Sequence, residues 1–143
     1  QAWASSGSTS LTDGLISNND CAQNWDHSIY ISGSPQRVQI RGNRCRDAAV
    51  NHIGMNDGSR ACVVSRNHLE RGGFYAETMR APGASAISAY RVGVDCKIDG
   101  NFCAYQEDLT HYDGNGIIID GEPREAIVHS LIPDDLQNTP SAD

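Results

Sequence analysis

Residues 111–122 hold the chain's closest approach to a known chemical motif. With His111 as position 1, Asp113 falls at 3, Asn115 at 5, Gly116 at 6, Ile118 at 8 and Glu122 at 12, the spacing by which a calcium loop presents its oxygens. Histidine is a poor ligand for a hard cation at position 1, and the preceding residues 101–106 read as strand rather than helix. Asp113-Gly114 and Asn115-Gly116 are also strong turn pairs. The expectation is therefore a turn leading into a strand at Ile117, Ile118 and Ile119, with no metal and no cofactor.

The five histidines raise a second chemistry. A ribonuclease needs an acid, a base and an arginine for the developing phosphate charge, and His27, His52, His129, Glu77 and Arg80 are the right types. Nothing in their spacing brings them together. The H-E-x-x-H, G-x-S-x-G and glycine-rich phosphate patterns are all missing from the sequence, so no catalytic residue is assigned. The chain reads as a non-catalytic protein, with a small extracellular hydrolase such as a ribonuclease as the alternative.

Arginine supplies the candidate binding chemistry. Along residues 37–41, Val38 and Ile40 share one face while Arg37, Gln39 and Arg41 share the other, and Arg44 follows closely. These four are the candidate binding residues, although a solvated outer face explains the alternation without any ligand. Ten of the eleven basic residues are arginines, with Lys97 alone, while Ile and Asn remain plentiful. Lysine is the site of ubiquitin attachment and acetylation, so its scarcity suits a protein that persists in a foreign cytosol. The net charge of −7 is uneven: residues 1–94 carry nine arginines against seven acids, and residues 95–143 carry Lys97 and Arg124 against eleven. This acidity disfavours a general nucleic-acid binder. No apolar run approaches the ~20 residues of a membrane span. A protein partner or receptor is expected, for a secreted protein of the effector or toxin type.

The elements that would hold these residues read as follows. Cys21, Cys45, Cys62, Cys96 and Cys103 contain no C-x-x-C pair, so disulfides and export are the expectation. Two disulfides are expected, with Cys96 and Cys103 the foremost bridge and Cys45 with Cys62 the alternative pairing, and the odd thiol is either free, buried, or paired with a second chain. Residues 1–19 read as a flexible arm containing Trp3, 20–133 as one domain, and 134–143 as an acidic disordered tail. Within the domain, 28–31 and 37–41 suggest a hairpin and 44–53 a helix, because Cys45, Ala48, Ala49, His52 and Ile53 follow helical spacing. Strands are expected at 60–65, 74–79 and 86–94, and a hairpin turn at Asp99-Gly100. A last helix begins at Pro123 and stops before Pro133. No internal repeat is evident. The expected fold is α+β, a mainly antiparallel sheet of five to seven strands with one or two packed helices, stabilised by disulfides.

Overall fold

In the computed structural model, residues 11–73, 85–106 and 116–120 are described, and every regular element among them is a strand. Over the described residues the chain winds as a coil of four rungs. The first rung contains β1 (Leu15–Ser17), β2 (Asp20–Ala22) and β3 (Ile29–Ile31); the second contains β4 (Gln39–Arg41), β5 (Arg44–Ala48) and β6 (Ile53–Asn56). The third contains β7 (Val63–Ser65), β8 (His68–Gly72) and β9 (Ile87–Tyr90), and the fourth β10 (Lys97–Asp99), β11 (Phe102–Ala104) and β12 (Ile117–Asp120). Corresponding strands of successive rungs pair to make three four-stranded sheets: β1-β4-β7-β10, β2-β5-β8-β11 and β3-β6-β9-β12. Every pairing is parallel.

The expected antiparallel α+β fold is thus replaced by a three-sided parallel β-solenoid. Residues 29–31 and 39–41 are strands, but they belong to different sheets and pair with neighbouring rungs instead of each other. The expected helix at 44–53 is β5, a turn and β6. Its helix-like spacing arises because Cys45 on one sheet and Ile53 on the next both point into the same core. Asp99-Gly100 is a corner between β10 and β11, which lie in different sheets. The expected strand at 74–79 and helix at 123–132 lie outside the described residues, as do residues 1–10 and the tail at 134–143. Leu15–Ser17, inside the expected arm, forms β1.

The disulfide expectation is also corrected, since all five cysteines are free thiols. Cys96 immediately precedes β10 in the first sheet while Cys103 lies in β11 of the second, so the corner separates them. Three members of the second sheet's inward column are cysteines: Cys21, Cys45, Leu69 and Cys103 stack in register. Cys45 is buried, and burial first, then the neighbouring Cys21, pushes its thiol up to about 12.

A strand three residues long offers one or two inward side chains, so the core is a bundle of columns rather than one broad sheet face. Ile16, Ile40, Val64 and Ile98 form the column of the first sheet; Ile29, Ile53, Ile87 and Ile117 form one column of the third, with Ile31, Met55, Ala89 and Ile119 beside it. Each buried aliphatic side chain contributes about 1.5–3 kcal/mol. The repeat keeps like residues at like heights about 4.8 Å apart, so they stack on one another along the coil.

Candidate binding site at the asparagine corner

Between the first and second sheets every rung turns through an asparagine. Asn19, Asn43, Asn67 and Asn101 stack, and each side chain bonds to the next: Asn19 Nδ2 donates to Asn43 Oδ1 (2.9 Å), Asn43 Nδ2 to Asn67 Oδ1 (3.0 Å) and Asn67 Nδ2 to Asn101 Oδ1 (2.9 Å). The same oxygens accept backbone N–H bonds from Asn19, Asn43 and Asn67. The nitrogens also donate to the carbonyls of Ile16, Ile40 and Val64. A backbone donor on one side and a backbone acceptor on the other fix which way each amide faces. The corner is thereby held rigid by buried polar groups that are satisfied.

Outside this ladder stand three exposed arginines. Arg41 ends β4 on the outward face of the first sheet, and Arg44 begins β5 on the outward face of the second. Arg66 occupies the corner of the next rung, in the same column as Asn18, Gly42 and Gly100. All four corner residues have left-handed φ, between 56° and 63° for Asn18, Gly42 and Gly100 and 54° for Arg66. Asparagine and glycine tolerate that region, whereas arginine does so at a cost of order 1–3 kcal/mol. None of the three guanidinium groups has a hydrogen-bond or ion-pair partner among the described residues.

Three other arginines are paired with carboxylates. Arg37 grips Asp13 through two bonds of 2.6 and 2.8 Å, Arg71 grips Asp47 through two of 2.6 and 3.0 Å, and Arg46 reaches Asp20 at 2.8 Å. Each pair joins consecutive rungs, and in each the hydrogen bond from the guanidinium holds the carboxyl below its ordinary value. Arg44 has the carboxylates of Asp20 and Glu70 in its neighbourhood, but those are already bonded, Asp20 by Arg46 and Glu70 by His68 at 2.7 Å. Asp99, above Arg41 in its column, is bonded to Lys97 at 3.3 Å. Beside the corner, Phe102 stacks on His68 with ring centroids 4.6 Å apart and is itself exposed.

Of the four residues expected to bind, Arg41 and Arg44 flank this corner. Gln39 lies further along the first sheet's outward face, and Arg37 is at the opposite end of that strand, committed to Asp13. Arg66 was not among them. Its place became visible only once the rungs were aligned, 24 residues beyond Gly42.

The histidines assemble elsewhere. Between the second and third sheets, His27 Nδ1 donates to Asp26 Oδ1 (2.6 Å), the Asn51 amide donates to His27 Nε2 (3.3 Å), and Asn51 Oδ1 accepts the Ser85 N–H (2.8 Å). In a parallel chain Asn24 Nδ2 donates to Ser28 Oγ, which lies 3.4 Å from His52 Nδ1. Both rings are therefore tied into corner bonding, and His52 is fully buried. Glu77, Arg80 and His129 lie outside the described residues, as do His111–Asn115 and Glu122 of the calcium-loop spacing. Gly116 leads into β12 in register with β9, so the strand expected at Ile117, Ile118 and Ile119 is present, while the turn expected before it lies outside the described residues. Among the described residues no group of three or more His, Cys, Asp and Glu side chains is placed to hold a metal, and no helix is long and apolar enough to cross a membrane.

Comparison with known proteins agrees with the coil. A family model described as "Right handed beta helix region" matches residues 8–130. No curated protein and no solved structure matches the chain.

Proposed function

We propose that this chain, which belongs to the right-handed β-helix family, is a non-catalytic binding protein that receives an acidic segment of a partner protein on the corner formed by Arg41, Arg44 and Arg66. One observation carries the reading. In a chain of net charge −7, three exposed guanidinium groups on two adjacent rungs lack carboxylate partners, while Arg37, Arg46 and Arg71 on the same coil have them. An unpaired arginine in a left-handed corner is a local strain that a ligand would turn to use. The asparagine ladder behind it supplies the rigidity that lowers the entropy lost on binding.

Calorimetric titration of the full chain with a polyglutamate peptide tests this. Arg41→Ala, Arg44→Ala and Arg66→Ala combined should weaken binding by about 100-fold, each rim charge counting roughly 1 kcal/mol, and added salt should weaken the parent in the same direction. Arg60→Ala, an exposed arginine elsewhere, should change little. Equal binding by the triple variant, or binding of a polyanion of another class in place of the peptide, overturns the assignment. The hydrolase alternative draws no support from His27 and His52, whose ring nitrogens are engaged in or buried behind the opposite corner.

The effector or toxin character and export of the protein rest in this proposal on the scarcity of lysine, since the free thiols withdraw the disulfide argument. Lysines placed at Arg41 and Arg60, both exposed and unpaired among the described residues, should leave folding within about 0.5 kcal/mol. In a eukaryotic cytosol that variant should be degraded faster than the parent, with proteasome inhibition erasing the difference. Equal half-lives for two equally folded proteins would leave the lysine bias without functional meaning.

A further inference from the structure

Cys62 and Cys96 stand at equivalent places on the third and fourth rungs. Each immediately precedes the first strand of its rung, where Val63 and Lys97 are register partners and the Lys97 N–H donates to the Cys62 carbonyl (2.8 Å). Their side chains also point the same way. The Cys62 thiol donates to the Pro35 carbonyl (3.5 Å), with the Arg60 carbonyl at 3.3 Å, and the Cys96 thiol donates to the Ser59 carbonyl (3.1 Å). Pro35 and Ser59 are themselves equivalent, because the residues that follow them, Gln36 and Arg60, pair between rungs. Each thiol therefore reaches back to the same carbonyl of the rung before its own, and the two sulfurs are neighbours across the rungs.

Like side chains on successive parallel rungs repeat at the strand spacing, about 4.8 Å. That separation decides which chemistry suits the pair. A disulfide holds its sulfurs at about 2.05 Å, so both side chains would have to leave their carbonyls and turn toward each other. Two metal–thiolate bonds of about 2.3 Å laid end to end span about 4.6 Å, a distance the pair meets without rearrangement. Zinc needs four ligands, and among the described residues no group of three or more His, Cys, Asp and Glu side chains is gathered here. Cuprous copper is a soft ion that prefers thiolates and accepts two of them in line. Cys62 is buried and Cys96 only partly so, which leaves the ion a way in on one side and a dry wall on the other. The backbone N–H of Val38 is a further hydrogen-bonding neighbour of the Cys62 sulfur, placed to offset the negative charge of a coordinated thiolate.

We propose that Cys62 and Cys96 bind one cuprous ion between the third and fourth rungs, each supplying one sulfur. Each thiol gives up its proton to solvent as its sulfur bonds the ion; copper enters and stays as Cu(I), so no electron moves. Anaerobic titration of the reduced full chain with Cu(I), in competition with a chromophoric Cu(I) chelator, tests the site. One ion per chain should be held against the chelator. Cys62→Ser and Cys96→Ser should each weaken binding by more than about 100-fold, beyond the roughly 10–100-fold lost when a group that only orients a ligand is removed. Serine keeps a donor for the Pro35 or Ser59 carbonyl. Cys21→Ser, Cys45→Ser and Cys103→Ser combined should leave binding unchanged. X-ray absorption on the copper-loaded parent needs no variant and should show two sulfur neighbours around the ion. Failure to hold copper against the chelator, retention that depends on Cys21, Cys45 or Cys103, or a third sulfur neighbour overturns the proposal.

Discussion

Replacing Asn67 by leucine should destabilise the protein by about 4 kcal/mol or more, each stranded buried group costing about 1–3 kcal/mol. Asn67 Oδ1 accepts from the Asn43 backbone and side chain, and its Nδ2 donates to the Ile40 carbonyl and to Asn101 Oδ1. The substitution keeps the branching of the side chain but removes all four bonds at once and adds bulk, and both Asn43 and Asn67 are buried beyond the reach of water. With total stability of a domain at about 5–15 kcal/mol, that loss should be evident as a large fall in the urea midpoint. Asn67→Asp separates bonding from shape. It preserves the oxygen that accepts from Asn43 but puts a second oxygen against the Ile40 carbonyl and Asn101 Oδ1, so it should be at least as damaging at neutral pH. Asn19 has nothing stacked beyond it among the described residues and is exposed, so Asn19→Ala should cost far less. Similar losses at positions 19 and 67 would mean that the ladder is not a cooperative unit.

The same ladder shows how much of this fold can be read from the chain. A six-residue pattern recurs four times: Ile or Val, two corner residues, Asn, one outward residue, then Cys or Leu inward, as in Ile40-Arg41-Gly42-Asn43-Arg44-Cys45. No repeat is evident in the sequence because each copy is short and the spacing changes from 24 to 34 residues between the third and fourth occurrences, the third rung being longer between β8 and β9. Strands of three residues carry too few alternations to declare themselves. The alternation at Val38, Gln39, Ile40 and Arg41 did survive, and it correctly assigned Val38 and Ile40 to the interior and Gln39 and Arg41 to the outside. Around Cys45 to Ile53 the coil's three-sidedness imitates a helix, since residues one sheet apart converge on one core. Asp99-Gly100 misleads for a related reason: a hairpin and a solenoid corner both call for a left-handed residue, and Gly100 has φ of 60°. Arg41 and Arg44 were visible as neighbours in sequence. Arg66 was not, because its proximity to them depends on the stacking of one rung upon the next.

A buried histidine gives the fold a second vulnerability, this one to acid. His52 is wholly buried, its Nδ1 faces Ser28 Oγ, and its Nε2 has no hydrogen-bond partner among the described residues. Burial lowers its pKa from the ordinary 6.5 to about 4; the nearby Glu70 backbone and the Asp47 carboxylate offset only part of this, and Arg71, paired with Asp47, adds to the lowering. The folded state therefore holds the neutral ring, while the unfolded chain takes up a proton as pH falls through 6.5. Stability is complete above that value and declines from there down to about pH 4, by about 3 kcal/mol in all, since one pKa unit corresponds to about 1.4 kcal/mol. The carboxylates held low by arginine, Asp13, Asp20 and Asp47, lose their contribution only below their unfolded values near 3.8, and the Cys62 thiol, lowered to about 6 by its bond with Cys96, is shared by parent and variant, so the difference between the two from pH 6.5 to 5 isolates the histidine. His52→Leu should remove the histidine's share of the slope across that interval, and at pH 7 should leave stability unchanged or raised, because leucine fills the core without an unpaired nitrogen and Ser28 keeps its bond from Asn24. Urea titrations of parent and variant at closely spaced pH values decide the matter. A parent whose midpoint is level from pH 6.5 to 5, or a leucine variant that keeps the parent's slope, would place the acid sensitivity somewhere other than this ring.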